Sequence, residues 1–209
     1  KNKKKSKKME SKKIIITGSA TRIGAAIAKS LAGYGRQITL HYNTSNNEVK
    51  KLKKDLEYSG VKVFLIKADL SKIKNTKKII PYAFKMMKGI DCLINNASIF
   101  EKDELSNFNK KSFNSHLDIN LRAPAILTQD FKKYIKTKKG NIINIIDQRI
   151  FKLTPFFFSY TISKTGLQSL TKISAISLAP NIRVNGIAPG PTIKNKRQSE
   201  SHFKKQWKS

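Results

Sequence analysis

The chain has 209 residues, 39% of them hydrophobic, so it can bury the core of one large domain or two small ones, and no apolar run reaches the ~20 residues of a membrane span. Lysine and arginine number 43 against 13 acidic residues, a formal net charge of +30, but no zinc-finger, basic-zipper or basic-aromatic spacing accompanies that charge, so we expect only weak polyanion binding and no specific nucleic-acid partner. The single Cys92 excludes an internal disulfide, and His41, His116 and His202 are too far apart in sequence to indicate a metal site.

The chain begins with a basic segment. Residues 1–13 carry eight lysines and one acid, Glu10. This pattern predicts a disordered tail over residues 1–11. It lacks the apolar stretch of a secretory signal, so we expect a cytoplasmic protein.

From residue 12 onward, short apolar runs alternate with helical patterns. The apolar runs predict strands at residues 14–16, 38–42, 61–66, 92–94, 141–146 and 183–188. The 3.6-residue periodicity predicts helices at residues 23–32, 46–58, 73–87, 112–135 and 160–178, the third of them broken or begun afresh near Pro81.

This alternation is typical of βαβ units. It predicts an α/β fold of the Rossmann type, with a doubly wound parallel sheet between two helical layers over residues 12–193. The strands are almost wholly apolar, as strands buried on both faces should be. Ligands of such folds bind outside the carboxyl ends of the strands, so the informative residues should follow each apolar run.

The turn after the first strand contains small residues. The turn spans residues 17–24, and its candidate cofactor contacts are Gly18, Thr21, Arg22, Ile23 and Gly24. Small residues let a phosphate approach the backbone, and the helix that follows offers free N–H donors. The sequence therefore predicts a dinucleotide-phosphate site, although an ordinary strand-to-helix turn would also fit.

The end of the second strand indicates which dinucleotide binds. NAD sites commonly place an acid there, but residues 40–45 contain none. Donors such as Arg22, His41 and Ser45 would instead suit a 2′-phosphate, which favours NADP. His41 could equally be a partly buried strand residue.

Tyr160 and Lys164 are four residues apart at the start of the last predicted helix. This spacing places both on one helical face, where a cation would stabilise the phenolate and lower the pKa of the tyrosine. Tyrosine could then exchange a proton with a substrate. Taken alone, the pair could also be a surface contact.

Six motifs occur in the order typical of the short-chain dehydrogenase/reductase family, which the chain resembles over roughly residues 12–193. They are residues 17–24, Asp69-Leu70, Asn95-Asn96-Ala97, Asn120, Tyr160 with Lys164, and residues 185–190. The resemblance implies a homo-oligomer, dimer or tetramer.

The resemblance also implies a role for each matching residue. Asp69 with Leu70 would meet the adenine, and Asn95 and Ala97 would line its ribose. Asn120 would hold a helix bend and a proton-relay water, Tyr160 would donate the proton, and Lys164 would bind the nicotinamide ribose. Further cofactor contacts would come from Tyr42, Asn43, Ser98, Pro189, Gly190 and Thr192.

Two departures from the common family pattern resemble the pteridine reductase branch. Asp147 stands where most members have serine, and Arg22 stands where most have glycine. In that branch the phenylalanine matching Phe100 stacks on a pterin, the aspartate assists protonation, and the arginine lies near the pterin, with Ser98 and Tyr160 also at the substrate. A flat pterin with polar edges suits such a site, although Phe100 could be a loop core residue and Asp147 could orient a carbonyl.

The last predicted strand has no counterpart of the seventh family strand after it. Residues 194–209 are polar and basic, which we interpret as part of a truncated substrate lid. The leading hypothesis is an NADPH-dependent reductase of a dihydropterin or dihydrofolate. A reductase of 3-oxoacyl, sugar or quinone carbonyls and a basic, non-catalytic or nucleic-acid-binding protein are the alternatives.

Overall fold

The structure is a computed structural model that describes residues 12–33, 35–135 and 139–192. The predicted tail at residues 1–11 and the polar segment at residues 194–209 lie outside these ranges. Within them, no helix is long and apolar enough to cross a lipid bilayer.

Six parallel strands form one sheet in the order β3-β2-β1-β4-β5-β6. Their bounds are β1 Lys13–Ile16, β2 Gln37–Tyr42, β3 Lys62–Lys67, β4 Cys92–Asn95, β5 Gly140–Ile145 and β6 Ile182–Ile187. The strand order reverses between β1 and β4, which is the switch point of a Rossmann sheet. The predicted fold class is confirmed.

The helices cover both faces of this sheet. They are α1 Arg22–Ser30, α2 Asn46–Tyr58, α3 Ile73–Thr76, α4 Ile79–Met87, α5 Lys110–Leu117, α6 Ala123–Ile135 and α7 Phe158–Leu178. The helical pattern over residues 73–87, predicted to be broken or begun afresh near Pro81, is divided into α3 and α4. The interruption lies at Lys77 and Lys78, and Pro81 stands in the first turn of α4, where proline has few backbone hydrogen bonds to disrupt.

The strand β1 shows how the two layers share the sheet. Ile15 packs into the core that α4 and α6 cover, whereas Ile14 and Ile16 pack into the core beneath α1 and α2. All three isoleucines are buried, and each contributes about 1.5–3 kcal/mol through its burial. A strand that is apolar at every position is therefore held on both faces, and its carboxyl end is placed at the switch point.

A π-helical turn, Asp118–Arg122, joins α5 to α6 within the long helix that the sequence predicts. Asn120 lies in the turn and is fully buried. Its Nδ2 donates to the Ile99 carbonyl at 3.1 Å and to Ser163 Oγ at 3.0 Å, and its Oδ1 accepts from the Ile99 N–H at 2.9 Å. The π-helical turn interrupts the long predicted helix at Asn120, and the hydrogen bonds of this side chain tie the loop after β4 to α7.

Candidate active site

A cleft of about 640 Å³ opens at the carboxyl ends of the strands, where the fold predicts a ligand. Most of the site residues predicted from the sequence line it. They are Gly18, Thr21, Arg22, Ile23, Gly24, His41, Tyr42, Asn43, Ser45, Asp69, Leu70, Ala97, Ser98, Phe100, Asp147, Tyr160, Lys164, Pro189, Gly190 and Thr192.

The turn after β1 leaves no room for side chains at its two key glycines. Gly18 has φ +60°, and a Cβ there would lie 2.7 Å from the Ala97 Cα. A Cβ at Gly24 would lie 2.2 Å from the Gly18 carbonyl oxygen. Asn96 holds the turn by donating from Nδ2 to the carbonyl oxygens of Thr17 and Gly18 at 2.9 and 3.0 Å. The chain thus builds a tight turn at the start of α1 that fits a dinucleotide phosphate.

His41 does not serve as the phosphate donor that the sequence suggested as one option. Its side chain is only 2% exposed, its Nδ1 accepts from the Gly18 N–H at 3.1 Å, and its Nε2 contacts the Ala68 carbonyl oxygen at 3.0 Å. Burial lowers the pKa of His41 to about 4. The ring is therefore neutral at pH 7, and the alternative interpretation as a buried strand residue, here one that supports the glycine turn, is the better one.

The predicted role of Asn95 in lining the cleft is also wrong. Asn95 is buried in β4, and its Nδ2 donates to Asn144 Oδ1 on the neighbouring strand at 2.8 Å. Asn144 in turn donates to Thr171 Oγ1 on α7 at 2.8 Å, so the side chain of Asn95 lies on the face of the sheet that α7 covers. The neighbouring Asn96, which the motif contains but which we did not single out, supports the site instead.

The charges around the cleft favour an anionic ligand. Its lining includes the cations Arg22, Arg149, Lys152 and Lys164 and the two acids Asp69 and Asp147. Tyr42, Asn43, Thr44 and Ser45 line it at the end of β2, and none of these carries a carboxylate. The absence of a carboxylate at this end of the cleft fits a dinucleotide with an extra phosphate on its ribose. Among the described residues, no group of three metal-ligating side chains could hold a metal ion.

Tyr160 and Asp147 meet inside the cleft. The Tyr160 hydroxyl donates to Asp147 Oδ2 at 2.6 Å, which is short for an O–H···O bond and typical of a charged acceptor. Asp147 follows β5, and its Oδ1 accepts from the Arg149 N–H at 2.9 Å, which orients the carboxyl toward the tyrosine. The two proton-handling residues predicted from the sequence are thus directly bonded.

The pKa of Tyr160 moves in the direction opposite to the one we expected. Burial raises it above the usual range, and the carboxylate of Asp147 raises it further, whereas the guanidinium groups of Arg149 and Arg22 lower it. Desolvation and the short bond to an anion both favour the neutral phenol. The phenol therefore keeps its proton at neutral pH and shares it with Asp147.

Lys164 is buried beside this pair. Its side chain is 2% exposed, and its Nζ donates to the Ile145 carbonyl oxygen at 2.8 Å and lies 5.7 Å from the centre of the Tyr160 ring. Burial lowers the pKa of Lys164 to about 8, although Asp147 opposes the shift. Lys164 is thus mostly protonated at neutral pH, and the burial of its charge beside the phenol lowers the free energy of unfolding.

We expect this cost to appear as a pH-dependent stability. The pKa of Lys164 is about 8 in the folded chain against 10.5 unperturbed, so the unfolded chain binds more protons between these values. The free energy of unfolding should therefore rise by ~3 kcal/mol from pH 7 to 10.5, relative to a Lys164→Met variant. Urea denaturation of both proteins across this range measures the difference, and groups common to both, such as Cys92, cancel.

The exposed Lys172 on the same helix provides the matched control. Lys172→Met should leave the pH dependence of the unfolding free energy unchanged. A wild-type curve parallel to that of Lys164→Met would show that Lys164 pays no desolvation penalty.

An aromatic wall, formed by Phe100 of the cleft lining together with Phe157, lies beside the proton-handling pair. Phe100 stacks on Phe157 with their ring centres 4.2 Å apart and their planes 6° from parallel, and it meets Tyr160 edge-on at 4.6 Å. The Arg149 guanidinium lies 4.6 Å from the Phe157 ring centre and 5.6 Å from that of Phe100. We did not predict Phe157 or Arg149, although the phenylalanine run just before Tyr160 and the arginine just after Asp147 were visible signals.

Asp103 joins this wall to the start of α7. Its carbonyl oxygen accepts from the Phe157 N–H at 2.8 Å, and its Oδ1 accepts from the Ser159 N–H at 3.1 Å. An anion at a helix N-terminus is stabilised by the free N–H groups and the helix dipole. Phe157 itself has φ +61°, a left-handed conformation that is unusual for a bulky residue. The aromatic wall therefore rests on a specifically supported turn.

The sequence matches the short chain dehydrogenase family over residues 12–205. Dehydrogenase/reductase SDR family member 4 of Homo sapiens is 32% identical over 185 residues, covering 87% of this chain and 66% of that protein. The chain thus spans slightly less than two thirds of that relative's length. A 3-oxoacyl-acyl-carrier-protein reductase, FabG of Aquifex aeolicus, is 31% identical over 186 residues, covering 88% of this chain and 75% of that protein.

Two solved structures resemble the chain more strongly. FolM alternative dihydrofolate reductase 1 from Brucella suis, in complex with NADP, has a TM-score of 0.89 and 37% identity, covering 93% of this chain and 78% of that one. The Brucella canis protein of the same name, also with NADP, has a TM-score of 0.88 and 38% identity over 92% and 77% of the two chains. Both agree with the resemblance to the pteridine reductase branch. Because the family match runs through every described strand and helix, the chain belongs to the short chain dehydrogenase family.

Proposed function

We propose that this chain is an NADPH-dependent reductase of a dihydropterin or dihydrofolate. The observation that carries the proposal is the 2.6 Å hydrogen bond from Tyr160 to Asp147 beside the aromatic wall of Phe100. A serine at position 147 would suit a carbonyl substrate, whereas a carboxyl group can hold a proton for a ring nitrogen. The NADP-bound FolM structures support the same assignment.

The glycine turn and α1 would hold the pyrophosphate of the cofactor. Gly18 and Gly24 carry no side chain that would fill the turn, and Arg22 and Ser45 line the same cleft, with Ser45 just after the end of β2, where a 2′-phosphate would bind. Lys164 and the backbone of Pro189 and Gly190 would contact the nicotinamide end. When bound, NADPH supplies the hydride and leaves as NADP⁺.

Reduction of the C6=N5 double bond of a 7,8-dihydropterin requires a hydride at C6 and a proton at N5. Tyr160 and Asp147 share one proton in their hydrogen bond, and the raised pKa of Tyr160 keeps the phenol from losing it to water. The pair gives this proton to N5 as the nitrogen becomes basic. Asp147 is partly exposed, so solvent can reach this end of the hydrogen-bonded pair.

The aromatic wall would bind the flat face of the substrate ring. Phe100 is supported from behind by stacking on Phe157 and from the side by Tyr160. Offset stacking of aromatic rings contributes about 0.5–1.5 kcal/mol beyond the burial of area. The polar edge of a pterin would then face Asp147 and Tyr160, which line the same cleft.

A fluorescence titration tests the proposal. We expect NADPH to bind with a change in its fluorescence, methotrexate to bind to the NADPH complex, and 7,8-dihydrobiopterin or 7,8-dihydrofolate to be reduced. A panel of 3-oxoacyl, sugar and quinone carbonyls is the comparison. Turnover of the carbonyls alone would favour a carbonyl reductase, and a salt-sensitive nucleic-acid shift without NADPH binding would favour a non-catalytic protein.

A further inference from the structure

The cleft contains a basic group that the proton-handling pair and the glycine turn do not use. Asp147 is followed by a short 3-10 turn, Gln148–Ile150, and by the loop that leads to α7. Arg149, Lys152 and Thr154 of this segment line the cleft. We call these three residues the basic rim, after the positive charges of Arg149 and Lys152.

The positive charges of the basic rim are not neutralised by nearby acids. Across residues 12–33, 35–135 and 139–192, neither Arg149 nor Lys152 forms an ion pair with an acidic side chain. Within the part of the chain that the structure describes, the Arg149 side chain makes one hydrogen bond, a long one of 3.4 Å from Nη1 to Thr154 Oγ1. The donors of the guanidinium are therefore largely available to a ligand.

The position of Arg149 is nonetheless set by packing. Its guanidinium stacks 4.6 Å from the centre of Phe157, which itself stacks on Phe100. A guanidinium on an aromatic face keeps its N–H groups in its own plane, where a carboxylate can accept two parallel hydrogen bonds. Arg149 thus presents its donors at the edge of the wall that would hold the substrate ring.

We propose that Arg149, assisted by Lys152, binds a carboxylate carried by a substituent of the substrate ring. This inference rests on the proposed function and narrows it: the chain selects dihydrofolate, which has an anionic glutamate tail, over a dihydropterin with a neutral side chain. A neutral hydroxylated side chain would leave the two cations without a partner, whereas a carboxylate pairs with both. Arg149 is therefore a specificity residue that contacts the substrate outside the reacting atoms.

Steady-state kinetics of the full chain with two substrates test the assignment. We expect Arg149→Gln to raise the KM for 7,8-dihydrofolate at least 10-fold. The KM for 7,8-dihydrobiopterin should change less than 3-fold, because that substrate has no carboxylate, whereas any change of kcat through the effect of Arg149 on Tyr160 should be the same for both substrates. Arg149→Lys should retain much of the affinity for dihydrofolate, and Lys152→Gln should raise its KM about 3-fold.

Lys102→Gln is the matched control for overall charge. Lys102 lies over Phe156 at 4.8 Å but does not line the cleft, so its loss should leave both substrates unaffected. In the wild type, the KM for dihydrofolate should rise with ionic strength and that for dihydrobiopterin should not.

The outcomes separate the two proposals. Reduction of neither pteridine by the wild type would overturn the proposed function itself. If the wild type reduces both pteridines and Arg149→Gln raises the two KM values equally, the role of Arg149 alone is overturned. Should Arg149→Gln fail to fold, as judged by circular dichroism, a salt-independent KM for dihydrofolate and an unchanged Lys152→Gln would overturn it equally.

Discussion

Replacing Tyr160 with phenylalanine is expected to reduce pteridine turnover about 10³-fold while changing the affinity for NADPH less than 3-fold. The change removes the hydroxyl that donates to Asp147 at 2.6 Å and leaves the ring that packs edge-on against Phe100. Positioned proton transfer contributes about 10²–10⁴-fold to a rate. Stopped-flow measurement of NADPH oxidation gives the rate, and NADPH fluorescence gives the affinity.

Tyr134→Phe provides the matched control, because Tyr134 on α6 packs against Phe84 on α4 and does not line the cleft. It should leave turnover unchanged. Asp147→Asn should retain the shape of the site and lose most of the rate, since the amide cannot relay a proton. Retention of more than a tenth of wild-type turnover by Tyr160→Phe would contradict the assigned proton donor.

Replacing Gly24 with alanine is expected to destabilise the chain by at least ~3 kcal/mol and to abolish NADPH binding. The new Cβ would lie 2.2 Å from the Gly18 carbonyl oxygen and 2.8 Å from the Ser19 Cα, both backbone atoms of the turn that precedes α1. Overpacking against backbone cannot be relieved by a rotamer change, and the turn must open. Urea denaturation and NADPH fluorescence measure the two effects.

Gly33→Ala is the matched control, because it adds the same methyl group just after α1. Its Cβ would meet only Arg36 side-chain atoms, the nearest at 3.6 Å, which is an ordinary contact. This variant should fold and bind NADPH like the wild type. Equal stability of Gly24→Ala and Gly33→Ala would show that the turn after β1 is not as tight as the structure indicates.

The doubly wound parallel sheet could be predicted because the strands are short, almost wholly apolar and separated by amphipathic helices. Ile14, Ile15 and Ile16 need burial on both faces, and only a parallel sheet between helical layers provides it. The boundary between α3 and α4 could not be placed, because Pro81 is compatible with both a break and a first turn. Local propensity alone does not distinguish the two.

The site was predictable where a motif determines a backbone shape, and less so where a side chain has two possible surroundings. Gly18 and Gly24 follow from the turn that a phosphate needs. The polar groups of His41 and Asn95 could bind a ligand or a buried protein group. His41 contacts Gly18 and Ala68, and Asn95 contacts Asn144, and all of these partners are distant in sequence. Tertiary packing decides such cases.

The same reasoning explains why the pKa of Tyr160 was misjudged. The four-residue spacing to Lys164 indicates a nearby cation, but it does not reveal how deeply either group is buried. Tyr160 is 5% exposed and bonded to Asp147. Desolvation and a carboxylate neighbour therefore outweigh the cation.

Asp103 connects the aromatic wall to the start of α7. Its main chain and its carboxyl grip Phe157 and Ser159, while the same loop carries Phe100 three residues earlier. Asp103 thereby joins the loop that carries Phe100 to the start of the helix that carries Tyr160. A substrate ring that displaces Phe100 would therefore also displace Tyr160, so the binding of the ring and the rate of its protonation would change together.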